Sequence, residues 1–159
     1  MKIKLAAALL AITGLLAGCE GVTTGTEIAR VPLQAAADCP AGAYAPVKLN
    51  LAPEMNPVAV NFRGDFSQNP AEFGKWNTYR ATLSKDGAVA ATRTINVNHP
   101  SRDAQSSAPP PTQSVHTLFY VDVQSAGDYE LTITPVKPAE ITLSNPQVDA
   151  RRNVQRPPQ

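Results

Sequence analysis

Apolar and polar residues alternate through residues 115–134, the clearest pattern in this sequence. A turn falls at Ser125-Ala126-Gly127, and apolar residues occupy every second position on both sides of it: Phe119, Val121 and Val123 before, Tyr129, Leu131 and Ile133 after. A period of two residues is typical of a half-buried β-strand. The segment therefore predicts two strands that meet at one corner.

Five further segments show the same alternation and predict strands at 47–51, 58–62, 77–84, 88–98 and 140–144, the last of which resumes near Val148. The sequence Asp86-Gly87 accepts the positive φ of a tight turn and predicts a hairpin between the third and fourth strands. Arg93 interrupts the inward apolar series of that hairpin, which predicts a bulge or a late flip of the strand nearby. Asn69-Pro70-Ala71-Glu72 matches a helix start and predicts one helical turn.

The residues Ala126-Gly127-Asp128-Tyr129 resemble the tyrosine corner of immunoglobulin-like sandwiches, with Leu131 where antibody domains carry their second cysteine. Together with the strand order, this resemblance predicts an all-β fold: a seven-stranded antiparallel immunoglobulin- or fibronectin III-like sandwich. Strands one, two and five are expected in one sheet, with the first two as neighbours, and strands three, four, six and seven in the other. A small jelly roll or a transthyretin-like sandwich is the alternative.

A chain of 159 residues can bury one hydrophobic core of this kind. We expect the sandwich at 46–149, interrupted by a Pro/Ser-rich loop at 99–114 and followed by a disordered tail at 150–159. Without Lys2 and Lys4, 12 basic residues stand against 13 acidic ones. This near-neutral balance does not favour nucleic acid as a partner.

The first eighteen residues have the pattern of an export signal, with Lys2 and Lys4 before an apolar run from Leu5 to Leu16. Leu16-Ala17-Gly18-Cys19 resembles the bacterial lipobox, which implies attachment of diacylglycerol at Cys19. The alternative is an ordinary signal peptide with a chance cysteine. Because Glu20 is not the aspartate that retains such proteins in the inner membrane, the resemblance implies an outer-membrane anchor that faces the periplasm.

Residues 19–45 are rich in Thr, Ala and Gly and predict a lipidated flexible tether, with a short strand or helix around 28–37 as the alternative. As a coil, residues 20–45 would span on the order of 28 Å. If Cys19 carries lipid, Cys39 has no internal partner, so it either pairs with another chain or stays a free thiol.

Candidate chemistry is sparse, and we expect no catalytic, cofactor-binding or metal site. His99 and His116 border the Pro/Ser-rich loop. If the ends of the loop meet, the two histidines and Asp103 could approach a metal, or they could form a crude triad with Ser101 or Ser114. A mobile loop does not hold such groups in place, so solvated histidines are the simpler interpretation.

The candidate interaction surface consists of Trp76, Arg80, Leu118 and Tyr120. Strand phase places Trp76 and Arg80 on the outer face. Because lone tryptophans are mostly covered, burial of Trp76 under the helical turn against Phe73 is the favoured alternative. Arg80 would face Glu130 if their strands adjoin. Leu118 and Tyr120 lie opposite Phe119 and Val121 in phase, so that face is either covered or exposed as a patch.

These features predict a lipid-anchored envelope protein that acts as a structural or protein-binding module without catalysis, with the membrane and an envelope protein as partners. A second hypothesis is carbohydrate or cell-wall binding through Trp76 with Tyr79 or Tyr120. A third is a secretion-system outer-membrane anchor, since the type VI system has a similarly small lipoprotein with a transthyretin-like sandwich. No residue motif of that family is present here.

Overall fold

In a computed structural model of the chain, residues 24–37, 42–101 and 112–157 are described. They form two four-stranded antiparallel sheets that pack face to face, which confirms the all-β sandwich. The eight strands are β1 (Thr26–Pro32), β2 (Val47–Leu51), β3 (Val58–Phe66), β4 (Trp76–Lys85), β5 (Ala88–Asn98), β6 (Gln113–Val121), β7 (Gly127–Pro135) and β8 (Leu143–Arg152).

One sheet has the order β1-β8-β3-β6 and the other β2-β7-β4-β5. Alternate residues of both sheets point into the shared core, as the two-residue period requires. Three aromatic rings meet there: the Phe62 ring centroid lies 5.5 Å from Tyr79 and 6.0 Å from Tyr44. The core therefore joins β3 in one sheet to β4 in the other.

The described residues form eight strands where seven were predicted, because β1 lies inside the expected tether. Pairing with β8 explains this strand: Thr26 lies opposite Arg152 and Pro32 opposite Gln147. The apolar pattern of residues 26–32 is too weak to define a strand, and the backbone hydrogen bonds to β8 stabilise it instead. The tether is therefore not free up to residue 45, and the sandwich begins at Thr26 rather than at residue 46.

The predicted end of the sandwich at residue 149 is also wrong, because β8 continues to Arg152. The chain beyond it stays packed: Val154 is buried, and its N–H donates to the Pro57 carbonyl (3.1 Å). Arg156 forms an ion pair with Asp122 (2.6 Å). Residues 150–157 are thus part of the domain and not a disordered tail.

The predicted division of the strands between the two sheets is wrong for β2 and β8, the first and the last of the seven predicted strands. β2 pairs with β7, and β8 pairs with β3, so β2 and β3 lie in different sheets. In the immunoglobulin order, the strand that corresponds to β2 lies in the same sheet as the one that corresponds to β3, and the strand that corresponds to β8 lies in the opposite sheet. Here these two strands have exchanged sheets.

The local turn predictions are confirmed. The Tyr129 hydroxyl donates to the Ser125 carbonyl (3.0 Å), the bond expected of a tyrosine corner. Asp86 (φ 51°) and Gly87 (φ 79°) form the hairpin turn. Asn69 caps the short helical turn Pro70–Glu72 by accepting a hydrogen bond from the Ala71 N–H (3.1 Å).

The bulge expected near Arg93 is present in β5: Leu83 pairs with Ala91 and Ser84 with Val89, which leaves Ala90 without a partner in the β4–β5 pairing. Arg93 stays in the inward phase, opposite Ala81. Its Nη1 reaches the facing sheet and donates to the Thr117 carbonyl in β6 (3.1 Å). The guanidinium therefore bridges the edge strands β5 and β6.

Candidate functional site

An exposed aromatic patch lies on the outer face of the β2-β7-β4-β5 sheet. We call it the Trp76 surface and define it as Trp76, Thr78, Arg80, Val136 and Lys137. Trp76 is 44% exposed and Val136 is 51% exposed. The Val136 N–H donates to the Thr78 carbonyl (2.9 Å), and this bond continues the β4–β7 pairing beyond Pro135. This bond fixes the Val136 backbone beside Thr78 at the end of the sheet.

Trp76 lies on the outer face, in the phase of β4, and the burial against Phe73 that is usual for a lone tryptophan is not found. The Phe73 ring packs on His99 instead, with 5.0 Å between ring centroids, and Phe66 lies 4.8 Å from the same imidazole. The Trp76 ring has a different neighbour: Lys137 Nζ lies 4.0 Å from its centroid. A cation at this distance favours a fixed ring orientation.

Val136 and Lys137 were missed by the sequence reasoning, because Pro135-Val136-Lys137-Pro138 has the composition of a connector. Arg80 does lie on this face, but the predicted contact with Glu130 is wrong. The partners of Arg80 across the sheet are Thr94 and Thr134, whereas Glu130 lies opposite Ser84.

Leu118 and Tyr120 do not share one surface as predicted. A register shift between Val60 and Asn61 leaves Leu118 without a directly paired residue, and its side chain is fully buried in the core. Such a bulge lets two successive residues face inward. Tyr120 stays on the outer face of the β1-β8-β3-β6 sheet, 37% exposed and opposite Ala59. Tyr120 and Trp76 therefore lie on opposite faces of the sandwich.

The two histidines are not loop side chains in solvent. His99 is buried, with Nε2 2.7 Å from the Ser67 carbonyl and Nδ1 3.1 Å from the Pro100 carbonyl. His116 lies in β6, where burial and the nearby Arg93 lower its pKa. Ser114 Oγ is buried in the same strand and has no hydrogen-bond partner among the described residues.

No three His, Cys, Asp or Glu side chains are grouped to hold a metal ion within residues 24–37, 42–101 and 112–157. Asp103, which entered the metal and triad hypotheses, lies outside the described residues, as do Cys19 and Cys39. In the part of the chain that the structure describes, no helix has the length and hydrophobicity of a membrane span.

A set of hydrogen bonds fixes the start of the described chain to its C-terminal segment. We call it the N-terminal clamp and define it as Thr24, Gly25, Arg151 and Gln155. Thr24 Oγ1 accepts from the Gln155 N–H (2.7 Å). Arg151 donates to the Thr24 carbonyl (3.0 Å) and to the Gly25 carbonyl (2.7 Å).

Gly25 is fitted closely in this clamp. A Cβ at this position would lie 2.3 Å from the Arg152 carbonyl oxygen and 2.7 Å from a Val154 methyl carbon, and the φ of +81° already disfavours other residues. Beside the clamp, a hydrogen bond from Arg30 lowers the pKa of Glu27. The sequence reasoning missed the clamp because its members are 126 or more residues apart.

The clamp and the Trp76 surface lie at opposite ends of the strands. β4 starts at Trp76 and ends at Lys85, whose Nζ donates to Ser125 Oγ and to the Ala126 carbonyl (2.7 Å each). Ser125 and Ala126 follow β6. The end of β6 pairs with the start of β3, which in turn pairs with the end of β8, so these residues lie at the same end of the sandwich as the clamp. Ten residues of strand correspond to about 30 Å.

Comparisons of this chain with protein-family models, with curated proteins and with solved structures found no match.

Proposed function

We propose that the protein is a lipid-anchored envelope protein whose β-sandwich serves as a structural or protein-binding module without catalysis. The lipobox resemblance at Cys19 supports the anchor. The exposure of Trp76 beside Val136 and Arg80 carries the binding role, because tryptophan and arginine on a firm surface are the side chains most enriched among binding hot spots.

The contacts of Trp76 favour a protein partner over a carbohydrate. A sugar ring stacks on a free aromatic face, but Lys137 Nζ occupies one face of the Trp76 ring at 4.0 Å. Neither of the other two residues proposed for sugar binding adds an aromatic ring to this face. Tyr79 is 2% exposed, and Tyr120 belongs to the other sheet. The ring edge of Trp76 and the Val136 side chain suit an apolar pocket in a protein.

The experiment compares the acylated protein and two variants after crosslinking in intact envelopes and identification of the attached proteins. Trp76→Ala removes the proposed anchor residue. Val89→Ala is the matched control, because Val89 is 64% exposed in β5 and lies at the other end of the sandwich. We expect Trp76→Ala to lose a defined set of crosslinked proteins that wild type and Val89→Ala retain. The same crosslinked set for all three proteins would contradict the proposal.

Trp76 is the one tryptophan of the chain, so its fluorescence reports directly on this surface. We expect constant emission when cell-wall glycans are added to the purified protein. A saturable change with one glycan would favour carbohydrate binding instead.

A further inference from the structure

The N-terminal clamp limits the distance between the sandwich and the acylated cysteine. Thr24 is held through its hydroxyl by Gln155 and through its carbonyl by Arg151. Four residues, 20–23, separate Cys19 from Thr24. Five residue steps span at most about 18 Å when fully extended. As a flexible coil they span about 12 Å, less than half of the reach expected for an unstructured tether up to residue 45.

The end of the sandwich next to the clamp is the part that such a short connection brings to the membrane. We call it the anchor end and define it as residues 52–57, 85–89, 122–126 and 152–157. It carries acidic and basic side chains in balance: Glu54, Asp86 and Asp122 against Lys85, Arg152 and Arg156. This balance gives no net repulsion from an anionic or a zwitterionic lipid surface. Val89 adds an exposed apolar side chain.

We propose that the anchor end lies against the lipid headgroups, so that the sandwich stands on the membrane and the Trp76 surface faces the aqueous space about 30 Å away. This placement rests on the proposed acylation of Cys19. It narrows the partner class, because a surface at that height meets a protein domain in the aqueous compartment and not a segment inside the same leaflet.

The test measures the depth of two matched positions on the acylated protein in vesicles. In a Cys39→Ser background, Val89→Cys places one fluorophore at the anchor end and Val136→Cys places one at the Trp76 surface. The vesicles contain phosphatidylethanolamine, phosphatidylglycerol and a lipid with a nitroxide on its headgroup. We expect loss of fluorescence at position 89 and unchanged fluorescence at position 136.

A third sample carries a Gly/Ser insertion of about 20 residues after Glu20, which lengthens the coil from about 12 Å to about 28 Å. We expect this insertion to restore the fluorescence at position 89. Equal quenching at both positions, or stronger quenching at 136, in protein that floats with the vesicles overturns the placement and leaves the lipid anchor intact. Protein that does not float overturns the anchor and the placement together. Loss of crosslinked partners in Trp76→Ala is independent of both results.

Discussion

The hydroxyl group of Tyr129 makes the contact that fixes the corner between β6 and β7. It donates to the Ser125 carbonyl from a side chain that is 5% exposed. We expect Tyr129→Phe to lower the free energy of unfolding by about 1 kcal/mol, the usual net value of such a bond. Urea unfolding followed by circular dichroism measures it. Tyr120→Phe is the control and should change stability by less than about 0.5 kcal/mol. Equal losses in both variants would show that the corner bond contributes nothing.

His116 should make folding sensitive to mild acid. Burial and the positive charge of Arg93 lower its pKa below the unfolded value of 6.5. Between these two pKa values the unfolded state binds more protons than the folded state, so stability falls as the pH drops below about 6.5 and levels off below the folded pKa. The hydrogen bond from Arg30 instead lowers the pKa of Glu27 from 4.5, so its contribution is lost only at more acidic pH.

We expect His116→Gln to flatten the dependence of stability on pH between about pH 7.5 and pH 5.5. Urea unfolding at several pH values tests this, with wild type as the reference. An unchanged slope in the variant would mean that another group titrates in this range.

At the scale of elements, β5 is a long edge strand that needs protection against pairing with other chains. It spans eleven residues, and Arg93 is its single charged side chain. A charge that points inward on an edge strand discourages edge-to-edge association. Arg93 has this placement, opposite Ala81 and bonded to the Thr117 carbonyl.

We expect Arg93→Val to fold but to self-associate as its concentration rises, because the variant presents an uncharged apolar edge. Light scattering during size-exclusion chromatography measures the mass. Glu130→Val also removes a charge, on the outer face of β7, which is paired on both sides, and should stay at the mass of the wild type. A monomeric Arg93→Val would show that strand geometry alone protects this edge.

The same element-scale view explains which parts of the fold could be predicted from the sequence. β4 and β7 alternate strictly and begin or end at local turns, so their pattern predicts both strand and face. β1 has only weak alternation and depends on β8, more than a hundred residues away. No local sequence feature indicates which sheet the first or the last predicted strand joins, and β2 and β8 were therefore assigned to the wrong sheets.

The residues of the candidate site were likewise predictable only where local strand phase determines their position. The exposure of Trp76 follows from the phase of β4, which the sequence contains. The inward turn of Leu118 follows from a bulge against β3, and Val136 joins the surface through pairing with Thr78. Both depend on register between distant strands, which one sequence does not specify.

At the scale of the whole molecule, the two ends of the described chain are interlocked. The N-terminal clamp joins the segment before β1 to the segment after β8, and the ion pair between Arg156 and Asp122 extends this contact to the turn after β6. Loosening the clamp should therefore lengthen the free connection to Cys19 as well as destabilise the domain.

Gly25→Ala tests the clamp against a control with the same backbone geometry. Gly25 and Gly87 have nearly equal φ, +81° and +79°, but a Cβ at Gly87 meets nothing within 4 Å. Gly87→Ala therefore measures the backbone strain alone, about 1 kcal/mol. Gly25→Ala adds the clash with the Arg152 carbonyl, and we expect it to cost about 2 kcal/mol more.

Hydrogen exchange should locate this loss at residues 24–26 and 153–155 in Gly25→Ala, with unchanged protection in β4. In the vesicle experiment, the same variant should recover part of the fluorescence at position 89, because a released Thr24 lengthens the connection to Cys19. Equal destabilisation by the two alanines, with protection at 24–26 unaltered, would show that the clamp does not hold the segment, and the short reach derived from it would no longer apply.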